Sequence, residues 1–448
     1  MNARDPEAFQ PRSSSIVSLD FLLHMTQQFV TVQMKKSLHI MTSTACGGLE
    51  LYVSTLVSEM ARAGNSVAIV VSPETRYLDM LVSAGVVVHF AHSHQKLDPR
   101  DIRLIRSLVH EGHRIVHSHT RVDVWKASIA LMATRRAQHV HSVYMVVAPK
   151  RDLIHRMIYG RVDAILSSST HTNERIAECF PIPTDRIHLV RYGRNLSEYT
   201  AQPSARAVLR TKLGIPQDAS VFGMIGRIDV QKGTREFVES IAMLPERLRN
   251  RTHYVIIGEP TVHGHDADGT PRYEPQAIEL DRWMKTFIAN EGLADRVHVL
   301  PFTSDILPYY GMLDALVLAS YAEMYSLSVI DAMAMGIPVI GTNTEGTPEQ
   351  VADGIRGWLV EPRSPQAIAD AIARYVESPE LANRHGANAR TWARTEHDFS
   401  RTLQNIGSIY DVVLNEDPAR RRTPGARPAI HVSAERFVPA VEAEVLAG

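Results

Sequence analysis

The sequence predicts an α/β protein built from two Rossmann-like domains, and three observations carry that prediction. Short apolar runs that read as buried parallel strands alternate with segments of helical spacing from residue 38 onward. The alternation stops near residue 195 and restarts at residue 221. The 448 residues exceed one ordinary core and fit two domains, each of roughly 150 to 200 residues.

Taken in order, residues 1–33 read as an extension, with Pro6, Pro11 and a Ser13-Ser14-Ser15 run, and Met34 is an alternative start to Met1. The first domain, 34–200, then reads as strand 38–41, helix 49–63, strand 67–71, helix 77–83, strand 86–90, helix 102–111 and strand 114–117. A helix at 125–133 and strands at 140–147 and 164–168 complete it. Residues 196–207, with Pro203 and small or polar neighbours, read as a linker. In the second domain, 201–395, the pattern gives strand 221–225, helix 235–244, strand 254–257, helix 278–290 and strands 297–300, 314–319 and 336–340. A helix at 365–375 follows. The polar segment 259–276, rich in Gly, Pro and Asp, reads as a long loop. The spacing predicts a last helix at 396–415 that returns to the first domain, and then a disordered tail at 416–448 with Arg420 to Arg422 and several prolines.

With 48 basic and 49 acidic side chains, the near-zero balance argues against a nucleic-acid partner. Only two cysteines, Cys46 and Cys179, are present, far apart, which gives neither a disulfide framework nor a zinc-ligand pair. A reducing compartment follows. No apolar run reaches membrane-span length and no leader pattern opens the chain, so the expected location is cytoplasmic.

Three stretches carry chemistry. Ala322 to Gly336 sets Glu323 in the turn after strand 314–319 and Asp331 about two turns into a helix, with the amides of Met324, Tyr325 and Ser326 at the helix's positive end. Gly226-Arg227-Ile228-Asp229-Val230-Gln231-Lys232-Gly233 lies between a strand and a helix, and its two cations suit one diphosphate: Arg227 as a planar fork, Lys232 as a point charge. Cys46-Gly47-Gly48-Leu49-Glu50 opens the first helix, where glycines let amides approach an anion, although the dinucleotide pattern G-x-G-x-x-G is absent.

These stretches, with Thr344-Glu345-Gly346-Thr347-Pro348-Glu349, stand in the order found in the retaining glycosyltransferases of the GT-B fold, sequence family four, and the chain resembles that family over residues 38 to 412. The resemblance implies two facing Rossmann-like domains with a deep interdomain cleft. It implies that Gly226, Arg227 and Lys232 bind a donor diphosphate and that Glu323 holds donor-sugar hydroxyls. The amides from Met324 through Tyr325, Ser326 and Leu327 would meet sugar or phosphate, and Asp331 would accept from the ribose. No metal or other cofactor is expected, and the donor would be a UDP- or GDP-linked sugar.

The chain departs from the family at several positions. Asp331 stands where Glu is usual, and Ser326 where Gly is common, its hydroxyl offering a helix cap. Tyr144 stands where a histidine reaches the reacting sugar: either Tyr144 substitutes as a hydroxyl ligand, or His141 or His119 supplies the imidazole. Gly47, Gly48, His119 and Tyr144 form the expected acceptor or phosphate side. Asp266-Ala267-Asp268 looks like a metal motif of the other glycosyltransferase fold, but turn residues flank it and it reads as solvated loop. In 149–161, Leu153, Ile154, Met157 and Ile158 share a helical face among basic residues, and this face is expected in the core. The resemblance adds contact with anionic lipid at the inner membrane's cytoplasmic face.

The expected function is therefore transfer of a sugar, with retention, to a hydroxyl of a cell-envelope glycan or lipid-linked acceptor, in lipopolysaccharide or exopolysaccharide assembly. A nucleotide-sugar epimerase of the same fold and a non-catalytic nucleotide-sugar binding protein are the alternatives.

Overall fold

A computed structural model describes residues 36–415 except 46, 146, 201–202 and 266–269. The expectations for 1–33, for the start at Met34, for 266–268 and for 416–448 lie outside the described residues. All described residues belong to one compact unit, Lys35–Gly448.

Two parallel sheets organise the chain. The first runs β3-β2-β1-β4-β5-β6-β7 and is made of β1 (Ser37–Met41), β2 (Val67–Val71), β3 (Val87–Phe90), β4 (Ile115–Ser118), β5 (Gln138–Val143), β6 (Ala164–Ser167) and β7 (Ile187–Leu189). β8 (Ser220–Ile225) and β9 (Thr252–Ile257) open the second half. They are followed by a hairpin of β10 (Val262–His265) and β11 (Pro271–Tyr273), then β12 (Val297–Leu300), β13 (Ala315–Leu318), β14 (Val339–Thr342) and β15 (Gly357–Val360). The second sheet runs β12-β9-β8-β13-β14-β15. With β7 and the separate β10–β11 hairpin left out of the count, each sheet has the order 3-2-1-4-5-6 of a dinucleotide-binding fold. The strand order therefore reverses between β1 and β4 in one half and between β8 and β13 in the other, and ligands of such sheets bind outside the carboxyl ends at those two places.

Local chemistry explains most boundaries. The Asp98 side chain accepts from the Arg100 amide at 2.8 Å, and Pro99 fills the first turn of helix Pro99–His110, where its missing N–H costs nothing. Ser169 caps helix Thr170–Cys179 through the Thr172 amide at 3.1 Å. The segment 196–207 read as a linker corrects in part to a helix, Pro203–Lys212, with proline at its start. The long polar loop corrects in part to the β10–β11 hairpin, paired antiparallel.

One hydrophobic cluster runs through both halves. It joins Tyr52, Leu56, Val140 and Tyr192 to Tyr325, Val329, Trp392, Phe399 and Tyr410. Helix Phe399–Asn415 lies against the first sheet, where the Tyr410 hydroxyl is 2.7 Å from His117 Nδ1. No helix among the described residues is long and apolar enough to cross a membrane.

Candidate active site

The two switch points each hold one part of the sequence-derived site. At the second, β8 ends at Ile225, and Gly226 to Lys232 form the turn before helix Thr234–Met243. Gly233 sits at φ 68°, and a Cβ there would stand 2.0 Å from the Ala319 carbonyl oxygen, so only glycine lets this turn press onto the end of β13. That contact brings Lys232 to Glu323: Nζ donates to Oε2 at 2.6 Å, and Ser320 Oγ lies 3.4 Å from the same oxygen. The side chains of the pair are 29% exposed at Lys232 and 14% at Glu323. Arg227, 56% exposed at its side chain, stands over Asp229 at 4.0 Å. Asp229 in turn accepts from the Gln231 amide at 2.8 Å and the Thr261 hydroxyl at 2.6 Å, which fixes the turn.

Glu323 is also held from below. Its carbonyl accepts from the Gly346 amide at 3.1 Å, and a Cβ on Gly346 would come within 1.8 Å of the Met324 carbonyl oxygen. Beside it Glu345 adopts φ 47°, a left-handed conformation that costs a non-glycine residue of order 1 kcal/mol. Burial raises the Glu345 carboxyl above its ordinary range.

The following stretch differs from the expectation in two ways, in where the helix begins and in what Ser326 does. Helix Leu327–Ala334 begins at Leu327, so Asp331 is little more than one turn in, not two. Ser326 does not cap the helix: its hydroxyl meets Ser328 Oγ at 2.9 Å, and its amide donates to Gln350 Oε1 at 2.8 Å. Asp331 is engaged within the protein, accepting from Arg194 Nε at 2.5 Å and from the Tyr199 hydroxyl at 2.7 Å. Met324 and Tyr325 are buried. The Met324 sulfur accepts from Thr172 Oγ1 at 3.5 Å, and the Tyr325 hydroxyl lies 3.3 Å from His397 Nε2.

At the first switch point, β1 leads into Thr42 and then Gly47 and Gly48, which open helix Gly48–Arg62. Glu50 turns back so that Oε2 accepts from the Gly47 amide at 3.0 Å and Oε1 from the Ser43 hydroxyl at 2.6 Å, which occupies part of the donor set expected for an anion. A Cβ on Gly48 would lie 3.6 Å from Leu327 Cδ1, so this loop faces the second half's helix directly. Under the loop, Asp123 Oδ1 accepts from the Thr42 hydroxyl at 2.6 Å. Buried Lys126 bonds Thr42 Oγ1 at 3.3 Å and Asp101 Oδ2 at 2.7 Å. Burial raises the Asp123 carboxyl, with the Thr120 and Thr42 hydroxyls opposing it.

His119 and Tyr144 are brought together, with His119 Nδ1 2.9 Å from the Tyr144 hydroxyl. Burial lifts the Tyr144 phenol well above its usual range and keeps the His119 imidazole neutral. His141 is set apart from them. It is the register partner of Ser118 on β4, its Nδ1 lies 3.0 Å from the Ser118 hydroxyl, and alternation along the strands sends it to the opposite face of the sheet from His119. A small cavity lined by Tyr52, Ser142, Tyr144 and Tyr192 lies in this half, and none of the donor-side residues lines it.

Sequence reasoning placed Glu349 in the Thr344 to Glu349 stretch but missed its role in joining the halves, and missed Arg191 and Arg194. Glu349 Oε1 accepts from the His171 amide at 2.9 Å, and Oε2 from the Thr170 amide at 3.0 Å and Arg191 Nη1 at 2.8 Å, so an acid of the second half sits on the positive end of a first-half helix. Arg191 and Arg194 lie three residues apart just past β7, and that pair of cations at a domain's end was the available signal.

The model of the family described as Glycosyl transferases group 1 matches residues 205–392, and that of Glycosyltransferase Family 4 matches 46–198. The second half of the chain is thus similar to the group 1 glycosyl transferases and the first half to Glycosyltransferase Family 4. The chain has the two-domain GT-B architecture. Among curated relatives, a D-inositol 3-phosphate glycosyltransferase of Streptomyces griseus subsp. griseus is 30% identical over 282 residues, covering 59% of this chain and 57% of the relative. Another, from Nocardia farcinica, is 26% identical over 416 residues, covering 85% and 88%. The chain spans only 57%, 62% and 51% of the length of the first three such relatives. Two solved structures share the fold. Anabaena HepE in complex with UDP has a TM-score of 0.72 at 18% identity over 84% of this chain and 99% of that one. A glycosyltransferase from Rickettsia africae ESF-5 has a TM-score of 0.73 at 20% identity over 86% and 100%.

Proposed function

We propose that this chain is a group 1 glycosyl transferase that moves a sugar from a nucleotide-sugar donor to an acceptor hydroxyl, and the observation that carries the reading is the meeting of Lys232 with Glu323 beside Arg227 at the β8/β13 switch point. Arg227 and Lys232 hold the diphosphate and stabilise the negative charge that grows on it as the glycosidic bond breaks, while Glu323 takes the sugar hydroxyls. Gly226 lets the turn approach the phosphates. The donor is UDP- or GDP-linked, the anomer is retained, and neither a catalytic metal nor another cofactor is needed. Asp331 serves the ribose only with the oxygen lone pairs that Arg194 and Tyr199 leave to it.

The acceptor enters through the first half, between Gly47, Gly48 and Tyr144, and is a hydroxyl of a cell-envelope glycan or lipid-linked molecule. The relatives' name, D-inositol 3-phosphate glycosyltransferase, makes a phosphorylated polyol the comparison acceptor to test beside it. Exposure of Leu153, Ile154 and Met157 among Lys150, Arg151 and Arg156 supports docking on an anionic membrane surface.

Thermal shifts across UDP, GDP and ADP sugars, followed by transfer assays with the stabilising donor, test the reading. Stabilisation by one nucleotide sugar with acceptor-dependent release of its diphosphate supports it. Loss of activity with chelator and its return with manganese would overturn metal independence. Conversion of donor without acceptor would mark an epimerase. A second reading, donor binding without chemistry, is favoured by Tyr144 in place of a histidine; it predicts binding with neither transfer nor donor hydrolysis.

A further inference from the structure

We infer that His39, His117 and His119 form a binding site for one zinc-like divalent ion inside the first half, separate from the donor-side machinery. The placement follows from strand register. His39 on β1 is the partner of His117 on β4, so both point to one face of the sheet, and His119 returns to that face two residues later. All three rings are buried, and one ligand nitrogen from each lies within 4.8 Å of the others. His39 Nδ1 and His119 Nε2 are already 3.0 Å apart, and the His117 and His119 rings stack at 4.3 Å. Two nitrogens on a tetrahedral zinc, each at about 2.0–2.1 Å, stand roughly 3.3 Å apart, so small ring rotations suffice to admit the ion.

The surroundings match what holds imidazole ligands in place. His119 Nδ1 faces the Tyr144 hydroxyl at 2.9 Å and His117 Nδ1 the Tyr410 hydroxyl at 2.7 Å, which fixes each ring and leaves His119 Nε2 directed at His39. His117 Nε2 is 2.8 Å from Ser142 Oγ, which either yields to the ion or becomes an oxygen neighbour of it.

An independent observation points to a missing partner. His39 Nε2 is buried with no hydrogen bond, although the ring's other nitrogen is bonded to His119. If Nδ1 carries the proton, Nε2 holds a bare lone pair; if Nε2 carries it, a buried donor is unanswered. Either state is costly. A cation on Nε2 gives that lone pair its partner. The ligand set is imidazole with hydroxyl neighbours and contains no carboxylate, which selects zinc, cobalt, nickel or copper over magnesium and calcium. Bound there, the ion ties β1 to β4 and, through His117 and Tyr410, to helix Phe399–Asn415.

The test uses tag-free full-length protein, stripped with chelator and titrated with cobalt(II). The expected result is one cobalt per chain with the visible bands of a nitrogen-ligated site, displaced by zinc and untouched by magnesium, with a rise in Tm. His39→Gln and His119→Gln each weaken uptake about a hundredfold or more, while His253→Gln, on β9 of the other half, leaves it unchanged. X-ray absorption on the wild-type zinc form counts the imidazoles and needs no variant to fold. Three support the site; fewer than three, uptake below one ion per chain, or binding that survives both His39→Gln and His119→Gln overturns it, leaving the cluster a neutral hydrogen-bonded relay.

Discussion

Arg227 and Asp331 sit in neighbouring motifs and differ in what surrounds them. Arg227 is more than half exposed, and its one ion-pair partner among the described residues stands at the 4.0 Å limit, so Arg227→Ala should leave thermal unfolding within about 0.5 kcal/mol while transfer falls by orders of magnitude. Wild-type turnover in that variant would refute the diphosphate role. Asp331 is mostly buried against Arg194 and Tyr199, so Asp331→Asn strands a charged arginine and should cost about 3 kcal/mol, read as a lower urea midpoint. An unchanged midpoint with weakened donor affinity would instead assign Asp331 to the ribose. The sequence showed both residues and could not separate them. A carboxylate eight residues after Glu323 is visible in a string of letters, but the arginine that engages it comes from a segment 137 residues earlier in the chain.

At the scale of elements, legibility followed apolar periodicity. β13 and the helix after it were plain because they are buried runs of Leu, Val, Ile and Ala. Helix Thr170–Cys179 was not, because it buries only Thr172, Ile176 and Cys179 and is otherwise polar. Helix Pro379–Glu396 hides for a related reason, since most of what it buries is small or polar: Ala382, Gly386, Ala389, Ala393 and His385, with Trp392 the one large side chain. The segment 149–161 erred in the opposite direction. Its apolar face was expected in the core, yet in helix Leu153–Tyr159 only Ile158 and Tyr159 are buried, while Leu153 is 81% exposed and Ile154 and Met157 are each 56% exposed. Nearby Met145 adds another exposed side chain at 57%. Replacing Leu153, Ile154 and Met157 together by Ser should leave Tm nearly unchanged, because none of the three is buried, and should abolish flotation with anionic liposomes. Flotation equal to wild type, or no flotation of the wild type, would remove the membrane surface from the proposed function.

Across the whole molecule, buried histidines set the response to acid. Burial depresses His141 to about 4 and His397 to about 3. In the unfolded chain both titrate near the ordinary value of about 6.5. Above that pH neither state binds the proton, so there is no effect. Between about 6.5 and 4 the unfolded chain binds more protons, and stability falls as pH falls by up to about 1.4 kcal/mol per unit for each histidine. Urea midpoints should therefore be level from pH 8 to 7 and drop from pH 6 to 5; a midpoint constant down to pH 5 would show these rings charged in the folded protein.

The hydrophobic cluster that runs from Tyr52 and Tyr192 to Tyr325 and Trp392 also decides how the chain can be divided. A cut in the crossover near residue 200 would follow the two sheets and leave both fragments with bare aromatic faces, and the fragment carrying helix Phe399–Asn415 would keep Tyr410, the partner of His117 in the other. Such fragments should be poorly soluble alone and recover when co-expressed, which makes the boundary between the halves a site for split-reporter reassembly rather than for dissection into independent modules.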